Sequence, residues 1–375
     1  MDLDFSAEQD MLREMVRGLC ASASSLDTVR EFEDDPVGYS TDLWRQLGEL
    51  DLLGLMLPEE YGGSGMSALE GCVVYEEFGR ALVASPHFVS AVMGAGVLLR
   101  AGSDAQRHAL IPGIVAGTEI LTTAWLEAEG GFGARSVRTT ATAEGDGFRL
   151  DGEKWHVPFA SSATRVVVLA RTGPGDDAVD LFLVDPQAAG VSLQQQFTLA
   201  SDTQYAVTLA GVLVTEADRI GAAGTGWETW NATLLEGAVF LAAQAIGGAR
   251  AALEITNQYA KDREQFDKPL GAFQAIAHYL ADASTAVEGG EILVHEAAWA
   301  HANGQSIEQL APMAKLFAGR TYRDVTAMGE QIFGGVGFTL EYDIQLYFRR
   351  AKQAQISWWD DRILEERIAA TILDR

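Results

Sequence analysis

The sequence contains a glycine-rich run of the kind that binds nucleotides, Gly334-Gly335-Val336-Gly337. Glycine allows a ligand or another backbone to approach the main chain closely. A Rossmann dinucleotide site needs a strand before the run and a helix after it. A helical pattern precedes the run here, which argues against that site. Two interpretations stay open: the end of a helix, or a close approach that a ligand could use.

A second polar segment, Arg263-Glu264-Gln265-Phe266, follows a long helical pattern and precedes the turn residues Pro269 and Gly271. Taken alone, this segment is typical of a helix exit with a solvated, charged loop.

The histidines and cysteines do not form a metal or nucleophile pattern. His295 and His301 are separated by six residues, which puts them on different faces of a helix. Cys20 and Cys72 are the only cysteines and form no CxxC motif. No nucleophile-elbow motif supports a Ser-His-Asp arrangement. We therefore predict a protein without a metal requirement.

The composition excludes several classes of protein. Of 375 residues, 48% are hydrophobic and 21% are charged, which is typical of a globular chain with two or three subdomains. Acidic residues number 53 and basic residues 27, so the formal charge is −26. Nonspecific binding to nucleic acid is disfavoured, because phosphate contacts need clustered lysine and arginine. The N-terminal residues lack the features of a signal peptide, and no uncharged apolar stretch is long enough to predict a membrane span. These observations predict a soluble cytoplasmic protein.

The chain has three compositional zones: a helical zone over residues 1–117, a β zone over 118–220 and a second helical zone over 221–375. In the first zone, Ser6 and Gln9 form a candidate capping box, and helices are predicted at Leu43–Leu57, Leu69–Phe78 and Ser90–Leu99. The β zone has short β-branched runs separated by turn residues, which favours an antiparallel sheet or barrel. The last zone predicts long helices over 227–261, 270–303 and 306–330, and a shorter one over 340–354.

Four segments together resemble the acyl-CoA dehydrogenase family, and the resemblance covers nearly the whole chain. The segments are LPEEYGGSGMS (57–67), GEKWHVPFA (152–160), YAKDREQFDKPLGAFQAI (259–276) and EQIFGGVGFTLEYDIQLYFRRAK (330–352). The forms of the second and fourth segments look closest to actinobacterial members that act on bulky or steroid-derived substrates. Some of those members work as mixed pairs of subunits.

The resemblance implies a mainly helical α+β fold with an N-terminal helical domain, a central β-barrel-like domain and a C-terminal four-helix bundle. It also implies FAD as the cofactor, an acyl-CoA substrate and an electron-transfer flavoprotein or similar acceptor. Family members associate into dimers and tetramers, so a homo- or hetero-oligomer is expected. The implied reaction removes the α proton with a carboxylate and passes the β hydrogen to the flavin as hydride.

The resemblance also implies which residues bind the cofactor. Arg263, Gln265 and Phe266 would reach the FAD of a neighbouring subunit, with Arg263 donating to the pyrophosphate. Further matching positions are Gln274, Gln331, Gly334 and Gly335.

Beside the flavin ring this sequence departs from the family pattern. Where the family has an aromatic, an aliphatic and a threonine or serine residue, this chain has His156, Val157 and Pro158. Where the family has a threonine in a TEPGAGSD-like segment, this chain has Leu126 in LEAEGGFGA. Proline and leucine side chains cannot donate hydrogen bonds, so backbone groups would have to replace them.

The usual catalytic base is also missing. Most members carry a glutamate near the C-terminus, and Trp358 occupies the matching position here. A second group of members carries the glutamate on the first long C-terminal helix, where this chain has Gly237 with Glu236 before it. One residue rotates a helix position by about 100°, so Glu236 would point away unless the register shifts. Asp360 is the other candidate base, two positions after Trp358.

These departures leave three functional hypotheses. The first is an FAD-dependent acyl-CoA dehydrogenase that acts alone or within a mixed complex. The second is a catalytically silent subunit that completes a partner's FAD site. The third is a flavin monooxygenase on the same fold, whose chemistry does not need an α-proton base.

Overall fold

The computed structural model describes residues 5–176 and 178–373 and contains two compact units. One unit consists of Met1–Arg30, Ser67–Val83 and Ala238–Arg375, and the other of Glu31–Met66 and Ala84–Gly237. The boundaries that the sequence suggests, after residues 117 and 220, stay a prediction.

Helices dominate the beginning and the end of the described chain. In chain order they are α1 (Ala7–Ala23), α2 (Leu26–Glu31), α3 (Thr41–Glu49), α4 (Ala68–Arg80), α5 (Ala95–Ala101), α6 (Asp104–Val115), α7 (Gly226–Asp262), α8 (Gln274–Ala302), α9 (Leu310–Phe333), α10 (Ile344–Ile356) and α11 (Asp361–Leu373). The predicted capping box is confirmed: the Gln9 N–H donates to the Ser6 hydroxyl, and the Ser6 N–H donates to the Gln9 side chain.

Strands fill the middle of the chain. They are β1 (Leu121–Ala124), β2 (Thr140–Glu144), β3 (Gly147–Pro158), β4 (Arg165–Arg171), β5 (Val179–Val184), β6 (Val191–Gln196), β7 (Gln204–Thr215) and β8 (Arg219–Ile220), followed by the short hairpin strands β9 (Glu264–Gln265) and β10 (Lys268–Pro269). The main sheet has the order β6-β7-β3-β2-β4-β5-β8, and β1 pairs with β4. Most neighbours are antiparallel, as the turn-separated pattern predicts, whereas β1 and β2 pair in parallel with β4. One face buries an apolar cluster around Leu150, Val168 and Phe182.

The predicted mainly helical α+β fold is confirmed, with differences in detail. In the C-terminal region α9 packs against α8, α10 and α11, and α11 is a helix that the sequence patterns did not predict. The helix predicted over Leu43–Leu57 is wrong beyond Glu49. Asp51 has a left-handed backbone with φ 57°, and residues 50–57 continue as hydrogen-bonded turns. The predicted helix over Ser90–Leu99 begins as a π-helix at Phe88–Gly94 before α5.

One described helix, α7, is long and apolar enough to cross a membrane by length and composition. In this structure 72% of its most apolar stretch is buried inside the protein. Core helices of soluble proteins pass the same test, so the absence of a membrane span stays a prediction.

Candidate functional site

A short hairpin presents the predicted cofactor residues Arg263 to Phe266. It follows α7 directly and consists of β9, β10 and a two-residue turn. The turn residues Phe266 and Asp267 have φ values of 54° and 61°, in the region that a type I′ turn requires. The Phe266 side chain is 86% exposed, and the Arg263 side chain has no hydrogen bond or ion pair within the described part of the chain. An exposed ring and a free guanidinium on one hairpin suit a ligand with aromatic and phosphate groups.

An aromatic cluster connects the helix that leads into this hairpin with the glycine run. The ring of Tyr259, at the end of α7, stacks on Phe333 with centroids 3.9 Å apart. Tyr342 packs edge-on against both rings. The Arg263 N–H donates to the Tyr259 carbonyl, and Phe333 directly precedes Gly334. The cluster therefore fixes the starting points of both segments.

The glycine run forms the end of α9, as one of the two sequence interpretations predicts. Gly334 has φ 66°, and a Cβ atom at Gly334 or Gly335 would meet no atom within 4 Å, so their outer side is open. Gln331 is exposed beside them. Beneath the run lies the buried Glu330, and a Cβ atom at Gly337 would come within 2.3 Å of its carboxylate. Neither Glu330 oxygen has a hydrogen-bond partner among the described residues, and burial raises the pKa of this carboxyl.

His156 lies at an irregularity in β3. The pairing of β3 with β7 shifts register between Lys154 and Val157, and His156 has φ 55°. Its N–H donates to the Gln196 side chain, and its Nδ1 lies 2.8 Å from Gln204 Oε1. Because Gln204 Nε2 donates to Asp202, its oxygen faces the ring, which assigns Nδ1 as the donor in this contact. The imidazole of His156 is exposed.

The Leu126 segment is attached to the same strand. The Trp155 N–H donates to the Leu126 carbonyl. Glu127 forms an ion pair with Lys154 Nζ at 2.6 Å and accepts hydrogen bonds from the N–H groups of Arg138 and Thr139. Leu126 itself is half-buried, and Pro158 accepts a hydrogen bond from Thr122 through its carbonyl.

The ion pair between Lys154 and Glu127 is buried, with the Lys154 side chain 0% and the Glu127 side chain 8% exposed. Burial lowers the pKa of Lys154 to about 8, while Glu127 acts in the opposite direction. Burial also tends to raise the pKa of Glu127. The Lys154 cation and the hydrogen bonds that Glu127 accepts outweigh burial and hold that pKa below its usual value. The sequence offered one signal for this pair: Lys154 continues the alternating positions of Phe148 and Leu150, where an apolar residue is expected in a strand.

Of the two candidate bases, Glu236 forms an ion pair with Arg100 on α5. Gly237 faces a different environment: a Cβ atom there would lie 2.9 Å from Met93 Sδ and 3.2 Å from Phe88 Cζ. A glutamate at 237 would therefore clash with the π-helical segment. Glu236 and Gly237 thus have different surroundings on α7, and the role of Glu236 stays a prediction.

The other candidate base, Asp360, caps a helix. Its Oδ1 accepts a hydrogen bond from the Ile363 N–H at the start of α11. The two residues before it, Trp358 and Trp359, have left-handed backbones with φ 59° and 99°. Trp359 is buried, with the Arg367 guanidinium 3.7 Å from its ring centroid, and Trp358 is half-buried.

A buried lysine that the sequence analysis missed supports this turn. Lys315 on α9 is 4% exposed, and its Nζ donates to the carbonyl groups of Ser357 and Trp359 at 2.9 Å and of Ala354 at 3.4 Å. Burial lowers the pKa of Lys315 to about 8, although Asp361 and Asp360 act in the opposite direction.

The predicted cofactor residues thus form local groups within each unit. Arg263, Gln265 and Phe266 share the hairpin, and Gln274 is exposed at the start of the following helix α8. Gln331, Gly334 and Gly335 share the end of α9, and Leu126 joins the strand of His156 and Pro158. Among the described residues no group of three histidine, cysteine or carboxylate side chains could hold a metal ion.

Comparison with known proteins identifies the family. Profiles of the acyl-CoA dehydrogenase N-terminal, middle and C-terminal domains match residues 6–118, 122–210 and 224–373. The chain belongs to the acyl-CoA dehydrogenase family. A probable acyl-CoA dehydrogenase of Bacillus subtilis, YngJ, is 30% identical, and the similarity covers all of both chains.

Solved structures of the family have the same fold. The ChsE4-ChsE5 complex of Mycobacterium tuberculosis contains a chain that is 27% identical, with a TM-score of 0.90 over all of both chains. The Tcur3481-Tcur3483 steroid ACAD contains a chain that is 32% identical, with a TM-score of 0.87 over 98% of each chain.

The residues present fit FAD better on its phosphate side than on its ring side. The free Arg263 guanidinium, the exposed Phe266 and the open backbone at Gly334 and Gly335 suit the phosphates and adenosine. At the positions that the resemblance assigns to the flavin ring, His156 has a polar side chain, whereas Leu126 and Pro158 offer only backbone groups.

We predict that Glu127→Gln lowers the free energy of unfolding by about 3–5 kcal/mol at pH 7, because it leaves Lys154 buried without its counter-ion. The loss should shrink as the pH rises from 7 to 9.5. The folded-state pKa of Lys154 is below its unfolded value, and without Glu127 it falls further, so deprotonation relieves the cost as the pH rises. Denaturant unfolding at both pH values measures the change.

The matched control for this substitution is Glu144→Gln. It breaks a solvent-exposed pair with Arg149, so we expect a loss of about 0–1 kcal/mol. Equal effects of the two substitutions, or a Glu127→Gln loss that grows with pH, would contradict the role given to the buried pair.

Proposed function

We propose that this protein is an FAD-dependent dehydrogenase that desaturates an acyl-CoA thioester between its α and β carbons. The observation that carries the proposal is the match to all three domains of the family in their usual order. The free guanidinium and exposed ring of the hairpin support the cofactor half of the proposal.

For the cofactor, we propose that Arg263 binds the pyrophosphate of an FAD in a neighbouring subunit, with Gln265 and Phe266 beside it. The proposed contacts on the adenosine side are Gln274, Gln331, Gly334 and Gly335. The proposed ring-side contacts are Leu126, His156 and Pro158. When bound, FAD supplies the acceptor for the β hydrogen of the substrate.

For the substrate, we propose a bulky or steroid-derived acyl group. The similarity to the steroid ACAD, at 32% identity, supports this choice. An electron-transfer flavoprotein or a similar protein is the proposed acceptor of the electrons. A homo- or hetero-oligomer, dimer or tetramer, is the proposed assembly.

The step that this chain is least equipped to perform is removal of the α proton. The indole of Trp358 has no proton-accepting group, since its nitrogen only donates. Glu236 is paired with Arg100, and the Asp360 carboxylate accepts the N–H of Ile363, so either one would have to leave its partner to reach a substrate.

A second function is therefore favoured by a specific observation. Trp358 at the base position suits a subunit that depends on a partner, and one chain with the same fold comes from a complex named for two proteins. Purification together with a second chain in fixed stoichiometry would support this function, and a catalytically competent homo-oligomer would contradict it.

We predict that Arg263→Ala lowers the retention of FAD, because the charge-assisted contact to the pyrophosphate is lost. The ratio of flavin to protein absorbance after gel filtration measures occupancy, and circular dichroism measures helix content, which should not change. Lys261→Ala is the control, since it removes a positive charge two residues away. Unchanged occupancy in the Arg263 variant, or equal loss in both, would refute the assignment.

We also predict that the isolated chain reduces its flavin slowly with straight-chain acyl-CoAs, since general-base catalysis contributes on the order of 10²–10⁴-fold. Anaerobic stopped-flow absorbance with a panel of acyl-CoAs measures the rate. If activity is present, Glu236→Gln or Asp360→Asn should abolish it when that carboxylate is the base. Rapid reduction that survives both substitutions would show that the base lies elsewhere.

A further inference from the structure

The turn between α10 and α11 has an unusual backbone. Two consecutive residues with large side chains, Trp358 and Trp359, have positive φ values of 59° and 99°. This region is disfavoured for residues other than glycine, and it persists only where the surroundings determine it. Something outside the turn must therefore hold it.

The support on one side is the ammonium group of Lys315. An ammonium group has three N–H donors, and Lys315 Nζ has three carbonyl acceptors, those of Ala354, Ser357 and Trp359. The first two belong to the last turn and the C-cap of α10, where helical carbonyl groups lack partners and carry partial negative charge. The third belongs to the strained turn itself.

Other contacts hold the residues next to Trp358. Asp361 Oδ2 accepts hydrogen bonds from Arg320 and Gln355, and Arg367 covers the buried ring of Trp359. Asp360 caps α11. The chain is thus anchored at residues 357, 359, 360 and 361, on both sides of the half-buried Trp358.

We propose that Lys315 is a positioning residue that holds the turn at 357–359 in its left-handed conformation and so fixes the orientation of the Trp358 indole. The consequence for acyl-CoA selectivity rests on the proposed function, because it requires that Trp358 replace the family's base beside the substrate.

The test compares Lys315→Met, which keeps the length of the side chain but removes its donors, with wild type. Lys352→Met on α10 is the control, since Lys352 is an exposed lysine that donates to the Gln355 side chain close to the same turn. Amide hydrogen exchange at residues 357–360 should accelerate roughly tenfold or more in Lys315→Met, because a turn that loses three hydrogen bonds to its carbonyl groups opens more often. Exchange in α7 and in the control should not change. The difference in near-ultraviolet circular dichroism between wild type and Trp358→Phe defines the signal of the Trp358 indole. This signal should be lost in Lys315→Met.

Unchanged exchange at 357–360 and an unchanged Trp358 signal in a folded Lys315→Met protein would overturn the proposal. If this variant does not fold, the wild-type protein supplies the test between pH 7 and pH 9.5. Neutral Lys315 has only two N–H donors. The amide exchange rate at 357–360, corrected for its intrinsic pH dependence, should therefore increase more between pH 7 and pH 9.5 than the rate in α7. The charged groups that act on Lys315 are the carboxylates of Asp361 and Asp360, and the ordinary pKa of an aspartate lies far below this range. If the exchange rate at 357–360 relative to that in α7 is the same at both pH values, the proposal is overturned.

A final measurement separates this inference from the proposed function. In the holoenzyme or its complex, Lys315→Met should change the ratio of kcat/KM values for bulky and straight-chain acyl-CoAs. If exchange at the turn rises while this ratio stays the same, Lys315 positions the turn, but Trp358 is not beside the acyl group. In that case the placement of Trp358 at the base position fails, whereas the proposed reaction and substrate class are not contradicted.

Discussion

The burial of two lysine side chains is a constraint on which the candidate functional segments depend. A buried ammonium group is costly unless charges or dipoles replace the water that it loses. Lys154 meets this requirement with the carboxylate of Glu127, and Lys315 meets it with three backbone carbonyl groups. In the first case the lysine ties the Leu126 segment to the strand of His156. In the second it ties the turn of Trp358 to α9. The groups that compensate the desolvation of each lysine belong to a loop, so each lysine holds that loop in place.

The two lysines support segments in which this chain differs from its family. The resemblance implies a hydrogen-bonding threonine where Leu126 is found and a glutamate where Trp358 is found. Leucine and tryptophan side chains supply neither that hydroxyl donor nor that carboxylate, whereas the buried ammonium groups of Lys154 and Lys315 next to them keep their partners. This pattern favours the second proposed function, in which the chain keeps the framework of the family and a partner chain supplies part of the chemistry. The hairpin of Arg263 and Phe266, by contrast, keeps the residues that the resemblance implies and leaves both side chains exposed.

Sequence patterns predicted the order of helical and β zones, because periodicity and turn residues act locally. They predicted the capping box of α1 and the long helices α7, α8 and α9 for the same reason. They failed at Leu50–Leu57, where a leucine-rich stripe continues after Asp51 has already turned the backbone. They also missed the short α11, whose cap Asp360 looked like a candidate base. The partners of Lys154 and Lys315 lie 27 and about 40 residues away in sequence, so no local pattern could reveal them.

We propose that Trp358 stands in place of the family's base and limits removal of the α proton. The most direct test is the anaerobic rate of flavin reduction by an acyl-CoA in the wild-type protein and in Trp358→Glu. Restoring a carboxylate at this position should raise the rate on the order of 10²–10⁴-fold. A fast wild-type protein that Trp358→Glu does not accelerate would contradict the claim.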